Sequence, residues 1–158
     1  MITYTRIDSP VGELVLTAVD GKLASVSMSG TVDPDWQLAA FDKEKQQLAE
    51  YFAGTRTVFE LELATAGTDF QRRVWDEIDR IPYGKTISYG DLTDRLGLPR
   101  ERVRAVAAAI GANPLLVVRP CHRVIGADGS LTGYAGGLDR KEFLLTHEGV
   151  LQPQLELS

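Results

Sequence analysis

The apolar residues change period once along the chain, near residue 67, and this limits the fold more than any other feature. Before that point the chain reads as short, β-rich runs. After it, apolar residues recur at helical spacing. ITYTRI, GELVLTAV and KLASVSM are separated by Ser9-Pro10, Gly12 and Asp20-Gly21, which predicts three strands. Asp20-Gly21 between two such runs predicts a hairpin turn. Gly30 to Pro34 reads as a loop. Leu38, Phe41, Leu48 and Phe52, with charges between, predict a helix from Trp36 to Phe52, closed by Gly54. From Val58 to Leu63 the alternation of Phe59, Leu61 and Leu63 with Glu60 and Glu62 predicts a half-buried strand.

The second half predicts helices. Thr68-Asp69-Phe70-Gln71 has the form of a capping box, and Phe70, Val74, Trp75, Ile78 and Ile81 form one apolar face behind it. Ser88 to Asp91 caps a short helix to about Leu96, Gly97-Leu98-Pro99 breaks it, and another helix runs from about Arg100 to Ile110. Val103, Val106, Ala107 and Ile110 share one face of that helix, and Arg104 and Ala108 share the neighbouring ridge. Two short helices around a glycine-containing turn form a helix-turn-helix pattern. The second helix, AVAAAIGA, is nearly all small residues. It lacks the Asn, Gln and Arg that read base edges, and it either approaches a narrow groove closely or simply packs tightly. The division is a mixed α/β domain over residues 1–66, a mainly α domain over 67–150, and a loose tail over 151–158.

A chain of 158 residues can hold two small domains. No apolar run is long enough to cross a membrane, and the N-terminus does not read as a secretory signal. A lone cysteine forms no internal disulfide, so the thiol is expected free and the location cytoplasmic. The net charge of -5 argues against nucleic acid as a partner only as an average. Residues 1–66 carry 5 basic and 10 acidic side chains, whereas the remainder carries 12 of each. Between Leu96 and Arg123 stand Arg100, Arg102, Arg104, Arg119 and Arg123 against the single acid Glu101, a local excess suited to phosphates.

That basic stretch ends in Pro120-Cys121-His122-Arg123-Val124. Lone cysteines are usually small buried hydrophobes. Here cationic neighbours are expected to favour thiolate, and His122 is a candidate acceptor for the thiol proton. A cysteine–histidine nucleophile also fits a peptidase or acyltransferase, although no oxyanion site is evident. One cysteine and two histidines make no zinc cluster, so neither metal nor cofactor is expected.

Seven blocks together give a specific resemblance: FQRRVW from Phe70, IPYGKTISYGDL from Ile81, RAV from Arg104, NP at Asn113-Pro114, PCHRVIG from Pro120, LTGYAGGL from Leu131 and RKEFLLTHEG from Arg140. In order and spacing the chain resembles the O6-alkylguanine-DNA alkyltransferases, most closely the small bacterial members. The resemblance implies a ribonuclease H-like N-terminal domain and a winged-helix-like C-terminal one. It implies double-stranded DNA containing alkylated guanine as the partner, with no obligate protein partner. Cys121 would accept the alkyl group irreversibly, from O6-alkylguanine and also from O4-alkylthymine. His122 would deprotonate it through a water, and Glu148 would orient His122. Asn113 would tie the helix-turn-helix to the active-site loop. Arg104 would fill the space left by the extruded nucleotide, with Ala105 and Ala108 against the minor groove. Tyr89 would help rotate the nucleotide and donate to guanine N3. The Val124 carbonyl would take the guanine amino group, and Tyr134 and Ala135 would line the lid over the base. Arg123 is placed among the DNA contacts but with a mainly structural role, holding the loop by salt bridges, and Arg140 and Lys141 would do likewise or simply be solvated. Ala107, Leu116, Arg119 and Ala135 depart from residues common in the family and bear on pocket width. The alternatives are a noncatalytic lesion-binding relative and a helix-turn-helix regulator without chemistry.

Overall fold

We describe a computed structural model covering residues 1–64 and 66–151. Beyond Leu151, the expected loose tail lies outside the described residues. Strands β1 (Ile2–Ile7), β2 (Leu14–Val19) and β3 (Lys22–Ser27) form an antiparallel meander. Asp20 and Gly21 both take positive φ, at 52° and 77°, so the β2–β3 turn has the conformation that twisted hairpins favour. The sheet order is β3-β2-β1-β4, where β4 (Gln37–Leu38) pairs in parallel with β1.

Two expectations for this half are corrected. The helix predicted from Trp36 begins only at Asp42, as α1 (Asp42–Phe52). The Ala39 N–H is spent on the Tyr4 carbonyl at 3.0 Å, and Trp36 packs on the Tyr4 ring, so the sheet edge takes this segment before a helix can form. Leu38, counted in the helical stripe, is 73% exposed. The Val58–Leu63 run keeps its alternating burial but forms no strand. It touches the sheet at one parallel bridge, Leu23 to Leu63.

The second half holds α2 (Asp69–Ile78), β5 (Ile87–Ser88), α3 (Tyr89–Arg95), α4 (Val103–Gly111), β6 (Val124–Ile125) and α5 (Leu138–His147). The capping box forms in full: Thr68 Oγ1 accepts from the Gln71 N–H at 3.1 Å, and Gln71 Oε1 accepts from the Thr68 N–H at 2.9 Å. Ser88 caps α3 in the same way, accepting from the Asp91 N–H. Arg100–Arg102 winds as a single tight turn before α4 begins. Val74, Ile78, Leu92 and Val106 are fully buried where α2, α3 and α4 meet. Among the described residues, no helix is long and apolar enough to cross a membrane.

The two halves share one continuous apolar core. The edge of β3 carries the link that matters for function. The Val26 N–H donates to the Pro114 carbonyl at 2.9 Å, and the Leu116 N–H donates to the Val26 carbonyl at 3.2 Å. The loop leading to Cys121 is thereby docked on the sheet. Parallel pairing of β5 with β6 fixes the chain leaving that loop beside the start of α3. The capping box sets where the second half begins. Replacing Thr68 by Ala is expected to lower stability by about 1 kcal/mol in urea unfolding. An unchanged midpoint would show that α2 is held by packing alone.

Candidate active site

Cys121 lies 4% exposed at the end of the loop that follows α4. Leu116 accepts from the Val118 N–H at 2.8 Å, closing a γ-turn around Val117, which has φ of 70°. A buried β-branched residue in the left-handed region costs about 1–3 kcal/mol and persists only where its surroundings impose it. Here the sheet holds Leu116 on one side, and the Arg119 N–H is bound to the Leu115 carbonyl at 2.9 Å on the other.

The Asn113 side chain organises the inside of the loop. Its Nδ2 donates to Cys121 Sγ at 3.1 Å and lies 3.4 Å from the Leu115 carbonyl. Its Oδ1 accepts from the Leu115 N–H at 3.0 Å. Asn113 thus ties the end of α4 to the sulfur, which goes beyond a helix cap.

His122 and Glu148 are fully buried and meet at 2.7 Å, through Nε2 and Oε2. Arg123 donates to the same carboxylate from Nε at 2.7 Å and from Nη2 at 3.1 Å. Tyr51, from α1, donates its hydroxyl to Oε2 at 2.6 Å. Burial alone would raise the Glu148 pKa, but hydrogen bonds from His122 and Arg123 outweigh it and hold the carboxyl at about 2. A carboxylate can only accept, so His122 Nε2 must carry the proton. Burial also drives His122 down from 6.5, against the pull of Glu148, which keeps the ring neutral. Nδ1 is then a bare acceptor, and it has no hydrogen-bond partner among the described residues.

The thiol does not rest as thiolate. Burial pushes Cys121 up to about 11, even though Asn113, Lys141 and Arg119 act in the opposite direction. The cationic neighbours in the sequence suggest the reverse; desolvation wins because the sulfur is almost wholly enclosed.

A cavity of about 300 Å³ opens on Cys121 and is lined by Tyr89, Ala107, Ile110, Gly111, Gly133, Tyr134 and Ala135. α4, the glycine-rich loop before α5 and Cys121 all line it. Tyr134 and Ala135, the expected lid residues, line this cavity. A Cβ at Gly136 would come within 2.4 Å of Met28 Sδ and 2.7 Å of the Tyr134 ring, so a side chain there would displace them. Tyr89 donates to the Thr132 carbonyl at 2.8 Å, so its hydroxyl faces the lid loop. The Val124 carbonyl accepts from Lys141 Nζ at 2.6 Å. Lys141 also binds the carbonyls of Thr132 and Gly133, at 2.9 and 3.1 Å, and so staples the lid loop to the cysteine loop. Arg104 and Ala108 are exposed on α4 and Ala105 is half-buried beside them.

Arg123 is corrected as a DNA contact. Its guanidinium is enclosed, held by Glu148 and, at 2.6 Å, by the Ile81 carbonyl. The loop-holding role is the one its position allows. Tyr51, 97 positions from its partner, is not legible as a site residue, whereas Lys141 reads in the sequence either as a loop-holding charge or as a solvated one, and the structure puts it on the loop carbonyls. The only local hint was aromatic crowding around Tyr51 and Phe52.

Residues 2–65 match the family model of the 6-O-methylguanine DNA methyltransferase ribonuclease-like domain, and residues 69–150 match that of its DNA binding domain. The methylated-DNA–protein-cysteine methyltransferase of Mycolicibacterium paratuberculosis is 48% identical over 154 residues, covering 94% of this chain and 93% of that protein. The protein of the same name from Methanosarcina acetivorans is 43% identical, covering 92% of this chain and 97% of that protein. The crystal structure of the Mycobacterium tuberculosis O6-methylguanine methyltransferase aligns with a TM-score of 0.87 at 46% identity, covering 97% of this chain and 96% of that one. The Mycobacterium tuberculosis OGT in complex with DNA aligns with a TM-score of 0.86 at 46% identity, covering 94% of each chain. A ribonuclease-like half and a helical DNA-binding half, joined around one enclosed cysteine, place this chain in the 6-O-methylguanine DNA methyltransferase family.

Proposed function

We propose that the protein repairs double-stranded DNA by taking the alkyl group of O6-alkylguanine, and of O4-alkylthymine, onto Cys121, once per molecule. The observation that carries this reading is the placement of the sulfur. Cys121 lines a cavity of about 300 Å³ together with Ala107, Ile110 and Gly111 of α4. A lesion hidden in the base stack reaches such a sulfur only after the nucleotide is rotated out.

The division follows the change of period: an N-terminal domain of residues 1–66, a C-terminal domain of residues 67–150 and a tail. In this reading α3 and α4 act as a helix-turn-helix within a winged-helix-like domain, with Ala105 and Ala108 against the minor groove. Arg104 enters the stack in place of the extruded nucleotide. Tyr89 turns from the Thr132 carbonyl toward the base. The Val124 carbonyl keeps a lone pair for the guanine amino group beside Lys141. Tyr134 and Ala135 cover the base. The protein acts in the cytoplasm as a monomer, without an obligate protein partner.

His122 Nδ1 accepts the thiol proton through a water, and Glu148 stabilises the imidazolium that forms. The thiolate attacks the alkyl carbon. The S–C bond forms as the C–O6 bond breaks, and a tyrosine hydroxyl or water returns a proton to the guanine. The thioether does not revert. A regulator without chemistry would have no use for a buried His122–Glu148 pair beside a thiol.

The test is incubation with duplex DNA bearing O6-methylguanine, followed by intact mass and peptide mapping. One methyl per chain at Cys121, absent in Cys121→Ser, is the expected result. Folded protein without an adduct would overturn the reading.

The carboxylate gives a second expectation. Glu148→Gln slows transfer by about two orders of magnitude or more, because the amide no longer dictates the His122 tautomer. It also leaves the buried Arg123 charge unpaired at a cost of about 3–5 kcal/mol, so the rate is read well below the unfolding temperature. Wild-type transfer kinetics in this variant would exclude the pair from the chemistry.

Stability should follow pH with a definite sign. Folding lowers the pKa of His122 from 6.5 and that of Glu148 from 4.5 to about 2, so the unfolded chain binds protons more tightly at both groups. Their contributions are full above 6.5 and are lost as pH falls, first through His122 and then through Glu148 between 4.5 and about 2. Thermal unfolding across this range should show the lower limb in the wild type and not in Glu148→Gln. Parallel profiles would contradict the assignment.

A further inference from the structure

The mechanism above leaves one enclosed cation without a role. Arg119 is 8% exposed, directly before Pro120-Cys121. A guanidinium is costly to bury, and it persists where several partners compensate. Arg119 has three. Its Nε lies 3.3 Å from Asp79 Oδ1, its guanidinium carbon lies 4.9 Å over the Trp75 ring, and its Nη1 donates to Asn113 Oδ1 at 3.4 Å. Trp75 is itself fixed, donating from Nε1 to the Ala109 carbonyl at 2.8 Å.

The Asn113 contact reaches the sulfur. A side-chain amide can rotate by half a turn and exchange its oxygen and nitrogen, and its neighbours decide which way it faces. Arg119 Nη1 and the Leu115 N–H are both donors, and both point at Oδ1. They leave Nδ2 to face Cys121 Sγ. In the reversed amide, two donors would meet a third, and oxygen lone pairs would face the sulfur and repel a thiolate.

We infer that Arg119 is a positioning residue for alkyl transfer: anchored by Asp79 and Trp75, it holds the Asn113 oxygen so that the amide N–H faces the Cys121 sulfur. The inference rests on Cys121 being the alkyl acceptor. Asp79–Arg119–Asn113–Cys121 then runs on the side of the thiol supplied by α2, while Glu148–His122 serves the side supplied by α5. The other titratable groups around Cys121 are Lys141, Tyr89, Tyr134 and His122. All four are retained in the variants below, so a change can be assigned to the arginine.

The test measures two reactions of the full-length chain. One is alkylation of Cys121 by iodoacetamide as a function of pH, in which the S–C bond forms as iodide leaves. The other is methyl transfer from O6-methylguanine duplex. Arg119→Met keeps most of the stem volume and removes both the charge and the donors. Its thiol profile is expected to move up by about one pH unit. Below the midpoint the thiolate fraction falls about tenfold for that shift, and intrinsic nucleophilicity recovers roughly threefold, leaving iodoacetamide about threefold slower. Arg119→Lys restores the charge without the fork that spans Asp79 and Asn113, so it recovers the profile only in part.

Asp79→Asn gives the opposite sign. It removes the charge that partly neutralises Arg119, while the amide oxygen still accepts from Nε and the Trp75 contact is kept, so the anchor holds and the profile moves down. A merely structural role for the cluster would loosen the loop and move both variants the same way. Shifts in one direction, or a folded Arg119→Met with the wild-type profile, would overturn the inference. If Arg119→Met does not fold, an unmoved profile in Asp79→Asn does so. Wild-type protein that reacts with iodoacetamide but takes no methyl from DNA would sink the alkyl-acceptor reading instead, and the iodoacetamide shifts would still report on Arg119.

Discussion

The structure depends on one buried carboxylate. Glu148 gathers Tyr51 from the first half of the chain, His122 and Arg123 from the cysteine loop and, through Arg123, the Ile81 carbonyl behind α2. An isolated carboxylate would be untenable in that position. Four donor contacts from three side chains make it stable and keep it ionised. Its charge then sets the proton on His122 Nε2 and leaves Nδ1 as an acceptor with no hydrogen-bond partner among the described residues. Fold and chemistry are thus joined at a single group. Removing its partners one by one would unpick the domain contact, the loop and the base together.

This arrangement explains how an enclosed thiol can serve as a nucleophile without being reactive at rest. Burial holds Cys121 protonated, and the polar groups around it moderate that effect without reversing it. A resting thiolate would be exposed to oxidation and to stray electrophiles. On the proposed mechanism, a thiol that gives up its proton to a preoriented imidazole is activated chiefly for an electrophile held in the cavity. The strained turn at Val117 belongs to the same design. The sheet edge at Val26 and the hydrogen bonds of Leu115 and Leu116 impose that turn, and four residues further on the chain reaches Cys121, which lines the cavity. The first half of the chain is therefore a support for the reactive loop, through β3 and through Tyr51.

Features encoded by neighbouring residues were legible in the sequence. Thr68 with Gln71, Ser88 with Asp91 and the Asp20-Gly21 turn close within a few positions, and each formed as read. The PCHRV block with Glu148 downstream pointed to a site through resemblance, and the structure brings His122 and Glu148 to 2.7 Å. Features decided by distant partners were not legible. The segment from Trp36 has helical spacing, yet β1 takes its backbone. Val58 to Leu63 alternates like a strand, but only Leu63 finds a bridge. Arg123 and Arg119 looked like part of a phosphate-binding excess, and both are enclosed by partners far along the chain. Charge counting treats every arginine as exposed, and that assumption failed for two of the five.

The central claim is that the Glu148 carboxylate fixes His122 as the neutral Nε2–H tautomer, leaving Nδ1 free to accept the thiol proton. Nitrogen-15 NMR of histidine-labelled protein reads this directly. The chain has two histidines, and a His147→Asn variant separates their signals. The account predicts a protonated Nε2 and an unprotonated Nδ1 on His122 throughout the neutral range. A protonated Nδ1, whether in the other tautomer or as a resting imidazolium, would contradict it.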